Sequence, residues 1–362
     1  MNIASWGSTP PTIQPEPPAQ PETPEQPASP SYRAGDSARE NITFGGVTYP
    51  KTGDVYVTGP SGAIITGTGN TNNYEGVFIE GRNVTLSPYI MGKYEVTQQL
   101  YTAVMANQTV IVGGTEYSLA ASPFNCNETG FLAKASTDNQ NLRPAEGITW
   151  FDAIFFCNKL SEKTSLTPFY NVSIITMGTG SLAGHITAAS VNIVENATGY
   201  RLPTEAEWEF AARGGDPSAV DWNYTFSGAP TASGTAWDAV LNTGLDVVGW
   251  YSYNLGGTTN TTILSSSAPG GGTHEVGKKS ANTLGIYDMS GNVYEWCYDG
   301  YEESLTTGNF LNPMVAPQGS YRRVRGGCFW ESAEKCSVCH RQCSNGDTGT
   351  FAIGFRVVRN AN

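Results

Sequence analysis

Histidine is scarce in this chain: 362 residues hold three, His185, His274 and His340, far apart. That argues against a zinc site built from imidazoles. Charged residues are few, at 14%, and 32 acidic against 20 basic side chains leave a net charge of −12. No Lys/Arg-rich run occurs, which speaks against nucleic acid as a partner. No stretch of about 18 apolar residues exists, so nothing here reads as a membrane span. What is present is glycine (42), tyrosine (18) and an apolar fraction of 39%. The length suits two average domains or one large one. The composition predicts a loop-rich fold with a polar, weakly charged surface of the kind that works outside the cell.

The first thirty residues carry nine prolines and neither Lys nor Arg. Such a segment buries little and favours polyproline II. Residues 1–40 are therefore expected to be a disordered tether, with a processed start behind an added Met1. Residues 41–84 read as a β-rich lead-in, and the main domain as 85–362. Strands are expected at Gly76–Ile79 and Leu86–Met91. Three helices are legible. One starts near Thr97, a capping residue. One runs from about Trp150 to Ser161 on apolar spacing, with Asp152 in its first turn. The third spans Thr204 to Arg213 and stops at Gly214-Gly215. No further helix is expected in the Gly/Asn/Ser/Thr-rich remainder, where long loops on a scaffold would carry function.

Six runs then stand out in order. They are Met91–Gln98 (MGKYEVTQ), Arg143–Trp150 (RPAEGITW), Arg201–Glu209 (RLPTEAEWE), Gly285–Trp296 (GIYDMSGNVYEW), Arg325-Gly326-Gly327 and Gly354-Phe355-Arg356. Together they resemble the formylglycine-generating-enzyme, or sulfatase-modifying factor, family. The resemblance implies an α+β, loop-rich branch of the C-type lectin fold, with few short strands and about three helices. Fold alone does not fix activity. Formylglycine-making members hold copper between two cysteines spaced Cys-x4-Cys behind the Arg-Gly-Gly run, and soft thiolates suit Cu(I). Counted from Gly327, those positions here are Glu331 and Cys336, so the pair is broken and no catalytic residue is expected. An iron-dependent branch needs histidines and an added helical domain that this chain lacks.

Between Gly327 and Ile353 lie 25 residues without hydrophobic periodicity, framed by regular flanks. This frame resembles the variable region of retroelement-diversified treponemal proteins on the same fold. Adenine substitution in Asn codons yields Cys, Phe, His, Ser and Asp, which accounts for four cysteines within 16 residues. Ala333, Cys336 and Arg341 fall where that family keeps residues fixed. Segment 328–352 is thus expected to bind a protein or other macromolecular ligand; an ordinary, non-diversified loop on an extracytoplasmic adhesion or scaffold module of the same fold is the alternative. Phe329, Trp330, His340 and Phe351 would supply apolar area with a polar edge. Glu331, Lys335 and Asp347 would select charge. Ser332, Ser337, Cys339, Gln342, Cys343, Ser344 and Asn345 would complete the surface, with Thr348, Thr350 and Ala352 beside them. Disulfides among Cys328, Cys336, Cys339 and Cys343 are an open alternative. Cys126, Cys157 and Cys297 are expected to pack as small hydrophobes.

The resemblance also implies a calcium loop, with Asp288 and Glu295 as side-chain ligands and Gly291 and Val293 as carbonyl donors. The same residues allow another reading: Asp288 accepts turn hydrogen bonds and Glu295 pairs with an arginine. No cofactor is required in either case. The expected setting is the cell surface, as a lipoprotein touching the membrane only through an N-terminal anchor outside this chain.

Overall fold

The computed structural model describes residues 31–68, 76–124, 138–230, 242–254 and 271–361. Tyr32–Asn362 is one compact unit. Most of the expected tether, and Cys126, lie outside the described residues. One antiparallel sheet joins the two ends of the unit. In it Ser37–Arg39, Asp54–Tyr56, Tyr89–Gly92 and Val358–Asn360 lie side by side. A second sheet has the order Gln342–Asn345, Tyr321–Arg325, Tyr294–Gly300, Ile353–Gly354, the last pair parallel. A third pairs Gly308–Leu311 with Arg82–Leu86 and Ala63–Thr66.

The expected domain boundaries are corrected by this topology. Ser37–Arg39, inside the segment expected as a tether, belongs to the first sheet, where Arg39 donates to Asp54 at 2.7 Å. The boundary at 84 falls inside a strand, and the lead-in shares the main domain's first sheet.

Helix α1 is Gln98–Met105, and the Thr97 hydroxyl accepts from Leu100 N–H. Helix α2, Trp150–Lys163, opens on a capping box between Thr149 and Asp152. Two orphan N–H groups are satisfied there reciprocally. The same Asp152 accepts from Ile186 N–H and sits 2.6 Å from His185 Nδ1. It thereby ties α2 to the long hairpin Tyr170–Met177/Ile186–Ile193. Helix α3, Glu205–Ala212, has a second capping box, Thr204 with Glu207. All eight of its residues are buried. A fourth helix, α4, Thr243–Val248, was not expected; Asn242 caps it by accepting from Gly244 and Leu245 N–H.

Gly76–Ile79 is not a strand. The Glu209 carboxylate takes Val77 N–H at 2.8 Å in place of a neighbouring strand. Around α1 and α2 the core packs Trp150, Phe156, Trp296 and Phe355; around α3 it packs Trp208, Phe210 and Met91. Cys157 and Cys297 are fully buried among these side chains, as small hydrophobes.

Candidate functional site

The C-terminal segment is anchored from below by buried charge. Arg325, wholly buried, donates to Glu205 Oε1 at 2.8 Å, Glu209 Oε2 at 2.7 Å and the Val338 carbonyl at 2.7 Å. Arg341 forks onto both Glu205 oxygens at 2.8 Å. Burial alone would push the Glu205 carboxyl up. The Arg341 hydrogen bonds and the charges of Arg341, Arg325 and Arg323 outweigh it and hold the group at about 2.

The Arg-Gly-Gly run then turns sharply. Gly327 has φ of 71°, and a Cβ there would stand 2.7 Å from Cys336 Cα and Sγ. Only glycine suits both demands. The chain folds back through a short 3-10 turn, Ala333–Cys336, with both end residues buried. It returns as the strand Gln342–Asn345, paired with Tyr321–Val324.

This architecture corrects part of the expected binding surface. Phe329, Ser337, Cys339 and His340 are buried. Phe329 lies in the core beneath Phe351, with ring centroids 6.2 Å apart. Ser337 Oγ accepts from Cys339 N–H. Cys339 Sγ lies 2.9 Å from Arg213 Nη2. Burial, with Lys335 and Arg325 nearby, holds the His340 imidazole at about 3, so it stays neutral.

The other members face outward. Trp330 is 47% exposed and meets Phe351 edge-on at 5.8 Å. Glu331, Ser332, Lys335 and Phe351 are half-buried, as are Ala352, Thr350, Thr348 and Asp347. Gln342, Cys343, Ser344 and Asn345 are half-buried along the returning strand. Glu331 is held from behind: its carboxylate accepts from the Tyr294 hydroxyl at 3.3 Å, and its carbonyl from Ser252 N–H at 3.0 Å. Burial pushes the Cys336 thiol well up, which disfavours the thiolate a soft metal needs. Phe355 and Arg356, just beyond the segment, are fully buried.

Of the two readings of the loop from Asp288 to Glu295, the contacts seen are those of the turn and the ion pair. Glu295 grips Arg356 at 2.6 and 2.7 Å and accepts from Trp208 Nε1 at 2.7 Å. The guanidinium supplies the positive charge that a cation would bring, so Glu295 is not open as a ligand. Gly291 and Val293 donate their N–H groups to the Gly326 carbonyl and to Glu95. Asp288 accepts from Gly277 N–H at 2.6 Å, as a turn residue does. Among the described residues, no group of three His, Cys, Asp or Glu is placed to hold a metal.

The Asp288 carboxyl is nonetheless unusual. Burial first, then the Glu295 charge, pushes it up to about 6 against the pull of Gly277 N–H and Arg356. Unfolded, it would titrate near 4. Between those values the native state keeps a proton that the unfolded chain has lost. This part of the stability is therefore full below about pH 4, falls as pH rises to about 6, and is flat above. Asp288→Asn, which suits the φ of 59° at this position, is expected to flatten that slope and to stabilise the protein at pH 8 by on the order of 2 kcal/mol. Urea unfolding at pH 5 and pH 8 checks it; an unchanged difference between the two pH values in the variant would refute the assignment.

Residues 48–361 match the model of the sulfatase-modifying factor enzyme 1-like domain. The chain belongs to that family. Its relatives differ in what they are named for. The chain is 33% identical over 284 residues to the "Chaperone protein LppX" of Paenibacillus barcinonensis, covering 77% of this chain and 82% of that protein. It is 25% identical over 296 residues to the formylglycine-generating enzyme of Streptomyces coelicolor, covering 77% and 80%. Among solved structures, Treponema denticola variable protein 1 superposes with a TM-score of 0.61 at 29% identity, covering 89% of this chain and 98% of that one. The C-type-lectin-like architecture expected for the sulfatase-modifying factor family, mixed α+β with many short strands, is the one found, with four helices among the described residues where about three were expected.

Sequence reasoning missed the role of Glu205. The available signal was the surplus of arginines, Arg322, Arg323, Arg325 and Arg341, flanking a segment that had to be partly buried.

Proposed function

We propose that this family member is a non-catalytic ligand-binding protein displayed at the cell surface as a lipoprotein. Its segment 328–352 is the binding surface, varied by a retroelement. The observation that carries this reading is Trp330: a large aromatic, half in solvent, on a loop whose base is clamped by Arg325, Arg341 and Gly327. A rigid, exposed aromatic ringed by half-buried polar groups is how interface hot spots are built. The likeness to a treponemal variable protein over nearly the whole chain supports the same reading. Counted from Gly327, Glu331 falls at the first cysteine position of the copper-binding members, and on that count a binder is favoured over an oxidase. The Pro-rich start serves as the tether, and the ligand is a protein or another macromolecule. No metal is needed for it.

The test is to sequence codons 324–360 from many independent isolates. Substitutions are expected at adenine positions, concentrated at outward residues such as Trp330, Glu331 and Lys335. Arg325, Gly326 and Gly354 should stay constant. Uniform codons across isolates would overturn the diversified reading.

A further inference from the structure

The returning strand, Gln342–Asn345, is the outermost of its sheet and, among the described residues, the only strand inside segment 328–352. One side of it is taken by Tyr321–Val324, in antiparallel register without a shift. Along such a ladder, residues alternate between bonding to the neighbour and pointing away from it. Gly346 N–H donates to the Ser320 carbonyl at 2.8 Å, which sets the phase. Ser344 and Gln342 therefore bond to Arg322 and Val324, while Cys343 and Asn345 turn their main-chain groups off the edge of the sheet. Cys343 N–H donates at 3.0 Å to Oε1 of Gln342, a side-chain amide standing where a strand's carbonyl would be. Among the described residues, no protein group meets the Cys343 carbonyl or the Asn345 N–H. The Asn345 carbonyl is used by Thr348. The edge is within reach of solvent: all four residues keep part of their surface exposed, and a cleft of about 250 Å³ opens beside Asn345.

Sheets commonly blunt a bare edge with lysine, proline or a bulge. Gln342–Asn345 has none of these. Such an edge is a template for one more strand, whose main-chain bonds supply affinity while side chains supply choice. That division suits a segment whose side chains vary, because substitution leaves the main-chain groups in place. Charge narrows the partner. The strand carries none, and the cations beside it are used within the protein: Arg341 on Glu205, Arg322 on the Gly319 and Tyr321 carbonyls, Arg323 on the Glu302 carbonyl. We propose that Gln342–Asn345 is a docking edge for an extended, uncharged segment of a protein ligand, which joins the sheet as a fifth strand. The incoming strand displaces the Gln342 carboxamide, gives a carbonyl to Cys343 N–H and donates an N–H to the Cys343 carbonyl. This rests on the reading of segment 328–352 as a binding surface and states how that surface holds its partner.

The test uses the whole protein, isotope-labelled, titrated with acetyl-Thr-Val-Thr-Val-Thr-amide while amide resonances are followed. Saturable shifts are expected at Cys343, Asn345 and the Gln342 side-chain amide. The same peptide N-methylated at all five residues, which has no N–H along its strand, should produce none. Cys343→Pro should fold, because that N–H is not part of the ladder and proline is tolerated on an outward-facing edge position, and it should not bind the peptide. Gln342→Ala removes the internal competitor and should tighten peptide binding about twofold to tenfold. No saturable shift, equal binding of the N-methylated peptide, undiminished binding by folded Cys343→Pro, or unchanged affinity in Gln342→Ala would overturn the assignment. So would a dimer of the protein that Cys343→Pro dissolves, since the edge would then belong to a second copy. Failure here leaves codon variation untouched, and uniform codons would not remove peptide binding, so the two readings fail separately.

Discussion

Arg325→Met is expected to lower the unfolding free energy by about 3–5 kcal/mol. The loss comes from what stays behind. Glu205 and Glu209 are buried, and Arg325 gives each of them a hydrogen bond shorter than 3 Å. Without it, Glu205 keeps Arg341, and Glu209 keeps Arg213 and the N–H of Val77. One guanidinium fewer in a water-free cluster leaves carboxylate charge uncompensated. The Val338 carbonyl also loses its partner, so the returning segment loosens with the core. Urea unfolding at neutral pH reads the loss directly. Adding Glu209→Gln to Arg325→Met should recover part of it, because the orphaned charge is then gone. A loss under about 1 kcal/mol would mean that the cluster does not hold the segment.

The second large effect is a contrast between neighbours. Phe329→Ala is expected to cost about 3–5 kcal/mol, and Trp330→Ala less than about 1 kcal/mol. Phe329 is fully buried, so truncating it leaves a cavity under Phe351; Trp330 is half in solvent and gives up only its edge contact with Phe351. Thermal and urea unfolding of the two variants side by side measure the difference. Equal costs would mean that Trp330 is a core residue and not a contact surface. Trp330→Ala is then also the variant in which a ligand's affinity can be examined without disturbing the fold.

Much of the scaffold was legible because local rules governed it. Thr97, Thr149 with Asp152, and Thr204 with Glu207 announce their helices through side chains three residues apart. The hairpin Tyr170–Ile193 was not legible. Its outward residues include Ile175 and Ile193, exposed where alternation would call for polar ones. Helix α4 is six residues long with Gly244 inside it, below the length at which periodicity shows. Within the candidate site, Trp330 and Phe351 reach the surface, as their chemistry suggested. Ser337, Cys339 and His340 were not, because what buries them comes from elsewhere: Arg213, Thr225 and the strand ending at Arg325. The Glu295 ion pair escaped the sequence for the same reason. The partner of Glu295 is Arg356, 61 residues on, and no spacing rule connects them.

The first sheet is completed by its last strand. Val358–Asn360 pairs with Tyr89–Gly92 and bridges to Arg201, so the final residues of the unit stitch together parts of the chain separated by well over a hundred positions. Contacts of such range form slowly, after the loops between them have closed. Segment 328–352 lies immediately upstream of that closing stitch. A substitution there that spoils the turn at Gly327 or the returning strand would keep the stitch from being made, and the product would fail to mature. Among a population of altered sequences, the act of folding would therefore sort them before any partner is met: chains whose new surface is compatible with the scaffold reach the native state, and the rest pass to proteolysis.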